Sequence, residues 1–448
     1  KVSPDVKPDG ENGTVDINWN LQQKSSDQVE FSLGWGQTGV IGRVGLKLNN
    51  FSMRNLFNKN REHRGLLPIG DGEQLALGAQ TNGRYYQSYN ASYSTNWFGG
   101  KRPVQFSVSA YFSKQTDIAS NQFNRSYADN YYNYLYGSSV YGRNSYESFY
   151  DPDKYITLFG ASLGWGRRLR WPDDYFMLSA QLSYTRYSLK NWRYFLMTNG
   201  NANNLNFNLS LSRTSTDNQL FPRRGSEFTA SVSITPPWSS IFKKDYKNLA
   251  VNSNSKTYEQ EQQEKYRWVE YHKWKCKTYT ALTSGTKCFV LMTRVEFGIL
   301  GSFNKYNKSP FETFEVGGDG MSGYSSNYAT ETVGLRGYEN GSLTPVAVDN
   351  NRSRSGAYAY NRLTLELRYP FMLGNTTIYG LGFVEGGNAW YDAKKFNPFS
   401  LKRSAGLGVR IFLPMVGLMG IDYAYGFDKD TTGKKGGGQF HFILGQEF

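Results

Sequence analysis

The last ten residues decide the fold, and residues 439–448 read Gln439-Phe440-His441-Phe442-Ile443-Leu444-Gly445-Gln446-Glu447-Phe448. Large apolar side chains recur at positions 440, 442 and 444, which is the period of a β-strand with one apolar face, and the last residue is aromatic. A soluble protein rarely ends in such a strand, because an exposed apolar edge promotes aggregation. A transmembrane β-barrel needs one, because its strands face lipid. The stretch therefore predicts the last strand of a membrane barrel.

The same alternation recurs along most of the chain. Polar or small residues separate the apolar ones, which is typical of half-buried strands rather than helices. The clearest examples are residues 28–36, 104–113, 175–186, 203–212 and 401–413. About sixteen such strands can be counted. The chain is therefore predicted to be all-β, a 16-stranded transmembrane antiparallel β-barrel over residues 28–448.

Connections between these strands alternate between short turns and long polar loops, as they do in outer-membrane barrels. Short turns are predicted near residues 99–103, 171–174 and 222–225, and long loops at 119–153, 239–266 and 304–358. We expect the short turns to be periplasmic and the long loops extracellular. An exception is 52–72, a longer connection on the periplasmic side. Residues 256–270 are predicted to be locally helical or mobile.

Residues 1–27 differ from the rest. They contain one alternating strand, 13–21, and a polar link, and they are predicted to end a separate soluble domain. No signal peptide precedes Lys1, so we expect further N-terminal sequence before it. The N-terminus would then be periplasmic.

Composition agrees with a barrel that has a polar interior. Of 448 residues, 39% are hydrophobic and 16% aromatic, and no run reaches the roughly 18 apolar residues of a spanning helix. The formal charge of +14 is scattered along the chain. Contacts with the lumen and with lipid headgroups explain it better than nucleic acid, which we do not expect as a partner.

The sequence predicts no enzyme, cofactor or metal site. Residues 160–164 match a hydrolase nucleophile pattern, but within an alternating strand and without partner histidines. Residues 318–323 match a dinucleotide glycine pattern without the βαβ unit that it needs. Cys276 and Cys288 flank a short glycine-containing stretch, where they form either a disulfide across one hairpin or two unpaired thiols.

One constellation in the longest loop has a specific partner. The loop carries Leu335, Arg336, Gly337 and Tyr338, and a later strand carries Glu385. If the loop folds into the lumen, Arg336 reaches Glu385 in a charge-assisted pair, and Gly337 lets the backbone turn against the wall. Otherwise Arg336 is an exposed loop residue and Glu385 a solvated wall residue.

These residues resemble the BamA-like superfamily of outer-membrane assembly and translocation proteins, most closely the assembly branch found in Bacteroidota. Residues 335–338 resemble its Val/Leu-Arg-Gly-Phe/Tyr loop motif, and 383–387 its strand motif, with Glu385 in place of the usual Asp. Residues 217–225 resemble its periplasmic turn, and Phe440, Phe442, Leu444 and Phe448 its C-terminal signal.

The resemblance implies that loop 304–358 enters the lumen and that residues 1–27 are the last strand of a POTRA domain and its linker. It implies insertion of other β-barrels into the outer membrane without ATP. The expected partners are unfolded outer-membrane protein clients, accessory lipoproteins of a BAM complex, the lipid bilayer and surface proteins on the outer loops. Asp422, inward by alternation, is a second expected acceptor for Arg336.

An insertase needs a weak seam, which we expect between the first and last strands, where glycines weaken packing. The predicted seam residues are Val29, Phe31, Leu33, Gly34, Gly36, Phe440, Phe442, Leu444, Gly445 and Phe448. A client strand would add to the opened edge. The alternatives are a passive porin, a TonB-dependent transporter and a translocator of the two-partner secretion type.

Overall fold

The structure is a computed structural model of the chain. It describes residues 2–9, 14–21, 27–36, 39–56, 69–82, 86–100, 103–116, 153–192, 197–218, 220–251, 255–283, 289–309, 311–318, 331–349, 352–374, 376–413 and 417–444. Within these ranges, most residues that form regular structure lie in β-strands. No helix in the described ranges is long and apolar enough to cross a membrane.

The strands of the main sheet are long, mostly nine to fifteen residues. In chain order they are β3 (Gln28–Gly36), β4 (Gly39–Phe51), β5 (Glu73–Asn82), β6 (Tyr86–Thr95), β7 (Val104–Thr116), β8 (Tyr155–Arg168), β9 (Phe176–Lys190), β10 (Gly200–Thr214), β11 (Gly225–Ile234), β12 (His272–Thr283), β13 (Val290–Gly301), β18 (Ala359–Met372), β19 (Thr377–Trp390), β20 (Lys402–Leu413), β21 (Gly417–Lys429) and β22 (Lys435–Leu444).

The remaining elements are short. Two strands precede the main sheet, β1 (Val2–Asp9) and β2 (Thr14–Leu21), and four lie in the longest loop, β14 (Phe314–Val316), β15 (Glu331–Val333), β16 (Val346–Asp349) and β17 (Arg352–Ser355). The helices in the described ranges are α1 (Met53–Leu56), α2 (Trp238–Phe242), α3 (Tyr258–Tyr266) and a 3₁₀ turn at Ala393–Lys395. Helix α3 confirms the local helix predicted within 256–270.

In the described part of the chain, sixteen strands form one antiparallel sheet in sequence order, from β3 at one end to β22 at the other. Strand β13 pairs with β18, so the longest loop is an insertion between neighbouring strands. The number of strands and their antiparallel pairing confirm the predicted fold. We call the edge with connections such as 169–175 and 215–224 the short-turn end, and the opposite edge the long-loop end.

The sheet has its apolar face outward and its charged face inward. On β18, Leu363, Leu365 and Leu367 are exposed, while Arg362 and Glu366, which alternate with them, are buried. A water-soluble protein would bury the leucines, so this inversion indicates a sheet whose outer face meets lipid. The inward charges require buried partners, and these partners form the site described below.

The structure adds a strand that the sequence did not suggest. Strand β1 pairs antiparallel with β2 to form a hairpin of eight residue pairs. Only the second strand was predicted, because Pro4 and Pro8 interrupt the first and it lacks apolar alternation. The assignment of residues 1–27 to a POTRA domain stays a prediction.

The register of β12 and β13 bears on the cysteine pair. Cys276 is a free thiol and lies opposite Phe297, seven residues along the strand from the pair Thr283 and Val290, or about 23 Å. Cys288 lies outside the described residues, two positions before Val290. Two residues reach about 7 Å, too short to bring the sulfur atoms together. The ladder thus favours the alternative of unpaired thiols.

Candidate functional site

The site is built around Arg336, which the longest loop places on the inner face of the sheet. Its Nη2 atom lies 2.7 Å from Oε1 of Glu385 and 2.7 Å from Oε1 of Glu366, and its Nη1 atom lies 2.9 Å from Oδ2 of Asp422. All four side chains are buried. One guanidinium therefore joins carboxylates from three strands, β18, β19 and β21.

Each of these carboxylates also has an arginine from the barrel wall. Glu385 pairs with Arg362 at 3.1 Å, Glu366 with Arg368 at 2.8 Å, and Asp422 with Arg410 at 2.5 Å. Buried charges are costly unless they are paired and hydrogen-bonded. Four arginines thus surround three carboxylates, and we call these seven residues the lumen cluster.

The backbone of the loop is fixed by the same groups. The backbone N–H of Arg336 donates to Oε2 of Glu385 at 2.9 Å, and that of Gly337 donates to Nε2 of His441 at 2.9 Å. The hydroxyl of Tyr338 donates to the carbonyl of Arg403 at 2.8 Å. The motif thereby contacts β20 and the last strand, β22, as well as the strands of the carboxylates.

Gly337 meets both a conformational and a steric demand. Its φ is +89°, in the left-handed region, and a Cβ there would lie 2.9 Å from the nitrogen of Gly426 and 2.9 Å from Cβ of Ser404. Gly426 and Gly436 on the wall face the carbonyl of Gly337, which a Cβ on either would crowd. Glycine on both sides therefore lets the loop lie directly against the wall.

Apolar contacts complete the site. The Cζ atom of Arg336 lies 3.5 Å from the ring centroid of Phe383, a cation–π contact. Leu335 and Tyr338 are buried in an apolar cluster with Phe314 and Val316 of the same loop. The described part of the loop therefore shares one apolar core with the inner face of the sheet.

The structure brings together the residues that the sequence connected, namely Leu335, Arg336, Gly337, Tyr338, Glu385 and Asp422. Sequence reasoning missed Glu366, His441 and the wall arginines. A signal was present on β18, where Arg362, Glu366 and Arg368 alternate with exposed leucines and so must point inward. Within the described ranges, no three His, Cys, Asp or Glu side chains are arranged to hold a metal ion.

The predicted seam residues divide into two groups. Val29, Phe31, Phe440 and Phe442 have exposed side chains on β3 and β22, with Phe31 76% exposed and Phe440 68%. Leu33, Gly34 and Gly36 lie on β3, and Leu444 ends β22. Gly445 and Phe448 lie outside the described residues. The two strands that carry the seam residues are the two ends of the strand order.

A lumen cavity of about 320 Å³ lies beside the cluster, lined by Lys275, Lys277, Arg294 and Glu296 of the wall and by Glu331 of the loop. Glu331 pairs with Lys273 at 2.8 Å and with Lys275 at 2.9 Å. Burial alone would raise the pKa of Glu331, but attraction to these two lysines outweighs burial and lowers the pKa to about 2.

Comparisons with known proteins agree with this architecture. Residues 69–448 match the family model of the Omp85 superfamily domain. BamA from Haemophilus ducreyi lacking POTRA domains 1-3 is 16% identical, with a TM-score of 0.62 over 99% of this chain and 74% of that chain. CdiB from Escherichia coli is 11% identical, with a TM-score of 0.52 over 98% of this chain and 66% of that chain.

No curated protein matches the chain. At these identities the two solved structures show a shared fold, whereas the family model covers most of the sequence and establishes descent. The chain therefore belongs to the Omp85 superfamily of outer-membrane β-barrel proteins.

Proposed function

We propose that the chain is the barrel of a BamA-type insertase of the kind found in Bacteroidota, which folds β-barrel clients into the outer membrane without ATP. Clients would enter through a lateral seam between β3 and β22. The proposed partners are unfolded outer-membrane proteins, accessory lipoproteins and the bilayer, with surface proteins on the outer loops. In this orientation the N-terminus and the short-turn end are periplasmic.

The observation that carries the proposal is the attachment of the loop motif to one end of the sheet. Arg336, Gly337 and Tyr338 contact β18 through β22, including His441 on the last strand. A loop held in this way braces the strands that end at β22. Strand β22 can then keep its shape when its outer edge exchanges partners.

The end strands suit this exchange chemically. Backbone hydrogen bonds would recognise a client strand added to an open edge, so the recognition does not depend on client sequence. The exposed apolar side chains of Val29, Phe31, Phe440 and Phe442 would keep the outer surface of such a hybrid sheet facing lipid. Pairing would satisfy the backbone hydrogen bonds of each client strand, so that the strand can enter the membrane. The membrane would then supply the driving force for insertion, without a nucleotide.

A second candidate is a translocator of the secretion type. The same family includes CdiB secretion transporters, and the CdiB fold aligns over almost the whole chain. A translocator would pass one client through the lumen, so the loop with Arg336 would have to leave the pore. The buried contacts of Arg336 with three strands favour a braced wall over an open passage.

Reconstitution into liposomes tests the proposal. An unfolded barrel client is added from outside, and its folding is followed by protease protection, while release of a trapped dye reports solute flux. We expect client folding to be faster than in empty liposomes and dye to stay trapped. Dye release without faster folding would indicate a porin, and transport of a secreted client without barrel folding would indicate a translocator.

A further inference from the structure

A second charged feature lies far from the lumen cluster, at the short-turn end of β8 and β9. A surface cavity of about 500 Å³ is lined by Pro103, Arg167, Arg168, Leu169, Arg170 and Trp171. Half of these residues are arginines, and Trp171 is 82% exposed. A cavity of this size accommodates a small molecule or a lipid headgroup.

Arg167 belongs to the outer, lipid-facing side of the sheet. It continues the row of Leu163 and Trp165, whose side chains are exposed, because alternate residues of a strand share a face. Its ladder neighbours are the apolar residues Val104 on β7 and Leu178 on β9. A cation among such neighbours lies at the edge of the apolar surface, where headgroups begin.

The length of the apolar row supports a position of Arg167 at the edge of the lipid-facing surface. The next arginine on the same face of these two strands is Arg186, which pairs with Phe159, eight residues along β8 from Arg167. That spacing is about 26 Å along the strand, or about 20 Å along the membrane normal at a tilt of about 40°, against a height of about 25 Å for the apolar band of an outer-membrane barrel. The two arginines therefore lie near opposite borders of the apolar surface.

The cavity arginines differ in their pairing from the arginines of the lumen cluster. In the described part of the chain, neither Arg167 nor Arg170 has an ion pair with a carboxylate. Arg168 donates through Nε to the backbone carbonyl of Asp174, and the nearby Asp173 is paired with Arg213 at 2.9 Å. Exposed cations that no carboxylate neutralises are available to an external anion.

Exposed aromatic side chains lie at the same end of the sheet. Trp97 and Phe98 are exposed in the turn before β7, and Tyr175 is exposed in the turn that carries Trp171; the ring of Phe98 stacks on Phe106 at 4.5 Å. Aromatic residues concentrate at the membrane–water interface because one part of the ring system prefers the apolar side and another the polar side. Cations and aromatic rings at one border together indicate a lipid rather than a dissolved anion.

We propose that this cavity binds the phosphate of an anionic phospholipid, with Arg167 and Arg170 on the phosphate oxygens and Trp171 against the glycerol and upper acyl chains. Guanidinium groups match the geometry of phosphate oxygens and remain charged at all physiological pH values. The assignment to the periplasmic leaflet rests on the proposed orientation. The site itself does not depend on insertase activity, so the two can fail separately.

Native mass spectrometry with lipids in competition tests the site. The chain is released from detergent after incubation with equal amounts of phosphatidylglycerol and phosphatidylcholine, and the retained lipids are counted. We expect the wild type to prefer phosphatidylglycerol. The double variant Arg167→Gln/Arg170→Gln should lower that preference at least about tenfold, because it removes both guanidinium groups and the loss of even one charge-assisted hydrogen bond gives roughly that factor.

Matched variants separate this site from general charge effects. Arg186→Gln removes a cation from the same face at the opposite border and should leave the preference unchanged. Arg167→Lys/Arg170→Lys keeps the charge and should retain most of the preference for phosphatidylglycerol. Excess inorganic phosphate should not displace the lipid. Slower migration after heating, a property of folded barrels, verifies that each variant is folded.

Four results would overturn the proposal. The first is an equal preference for phosphatidylglycerol in the wild type and in Arg167→Gln/Arg170→Gln, and the second is an equal loss of that preference in Arg186→Gln. The third is displacement of the lipid by inorganic phosphate. The fourth is an Arg167→Gln/Arg170→Gln variant that keeps the lipid preference but loses a co-purified acidic protein. The third would identify a site for free phosphate, and the fourth a protein-docking surface.

Discussion

Glu385 binds both the side chain and the backbone of Arg336, through Oε1 to Nη2 at 2.7 Å and through Oε2 to the backbone nitrogen at 2.9 Å. One carboxylate on β19 thereby fixes the position of the loop and the direction of its guanidinium. The same Oε1 atom accepts from Thr364 and Arg362 of β18. The loop is thus attached to a wall whose own charges are already paired.

Replacing Arg336 should weaken the barrel without abolishing its fold. Removing one partner of a buried ion pair costs about 3–5 kcal/mol, and we expect about 3 kcal/mol for Arg336→Ala because each carboxylate keeps a wall arginine. Arg336→Lys should lie between alanine and wild type, since an ammonium cannot reproduce the planar fork. Urea unfolding in lipid vesicles measures the effect. Wild-type stability and assembly activity in Arg336→Ala would contradict the role of the cluster.

Gly337 should tolerate a methyl group less well than another glycine of similar conformation. Gly337→Ala places a Cβ against Gly426 and Ser404, whereas Gly433, with φ +84°, has nothing within 4 Å of an added Cβ. Gly433→Ala should therefore cost only backbone strain, about 1 kcal/mol, and Gly337→Ala clearly more. Both are measured by the same urea unfolding. Equal losses would show that the loop is not seated closely against the wall.

The ion pairs of Glu331 should make stability depend on pH. The pKa of Glu331 is lowered from 4.5 to about 2 in the folded chain, so its contribution is present above about pH 4.5 and is lost as the pH falls toward 2. Glu331→Gln should therefore be less stable than wild type at neutral pH, and the difference should shrink as the pH falls through 2. Unfolding midpoints across this range test the prediction, and a difference that is constant with pH would refute it.

Cys276 should remain a thiol under oxidising conditions. The ladder of β12 and β13 holds it opposite Phe297, beyond the reach of Cys288. We expect the same migration in gels with and without reductant, and no change in stability for Cys276→Ser/Cys288→Ser. Faster migration of the oxidised chain, lost in that double variant, would show that an intramolecular disulfide forms.

Period-two alternation was sufficient to predict most of the sheet. Because one face of each strand meets lipid and the other carries polar or charged residues, each strand shows the alternation in its own sequence. The alternation did not predict β1, because Pro4 and Pro8 interrupt this strand, which pairs with β2. The residues alone left the contact of Arg336 with Glu385 open, and the resemblance to the superfamily motifs supplied the prediction. Glu366 and Arg410 were not singled out, because many inward charges occur and only the folded loop selects those that meet Arg336.

The two cysteines illustrate another limit. Proximity in sequence left a hairpin disulfide and two unpaired thiols open, because the register between β12 and β13 decides which residues face each other. Register depends on pairing over the whole strand and cannot be read from a turn alone. His441 was missed for a similar reason, because its contact with Gly337 depends on how deeply the loop lies inside the sheet.

The central claim is that clients enter between β3 and β22, and a reversible lock tests it most directly. In a Cys276→Ser/Cys288→Ser background, a panel of cysteine pairs couples one position in Gln28–Gly36 to one in Lys435–Leu444. The measured quantity is the folding rate of an unfolded barrel client in liposomes, before and after reduction. We predict that the oxidised lock removes the acceleration and that reduction restores it; equally fast client folding by the locked chain would contradict the claim.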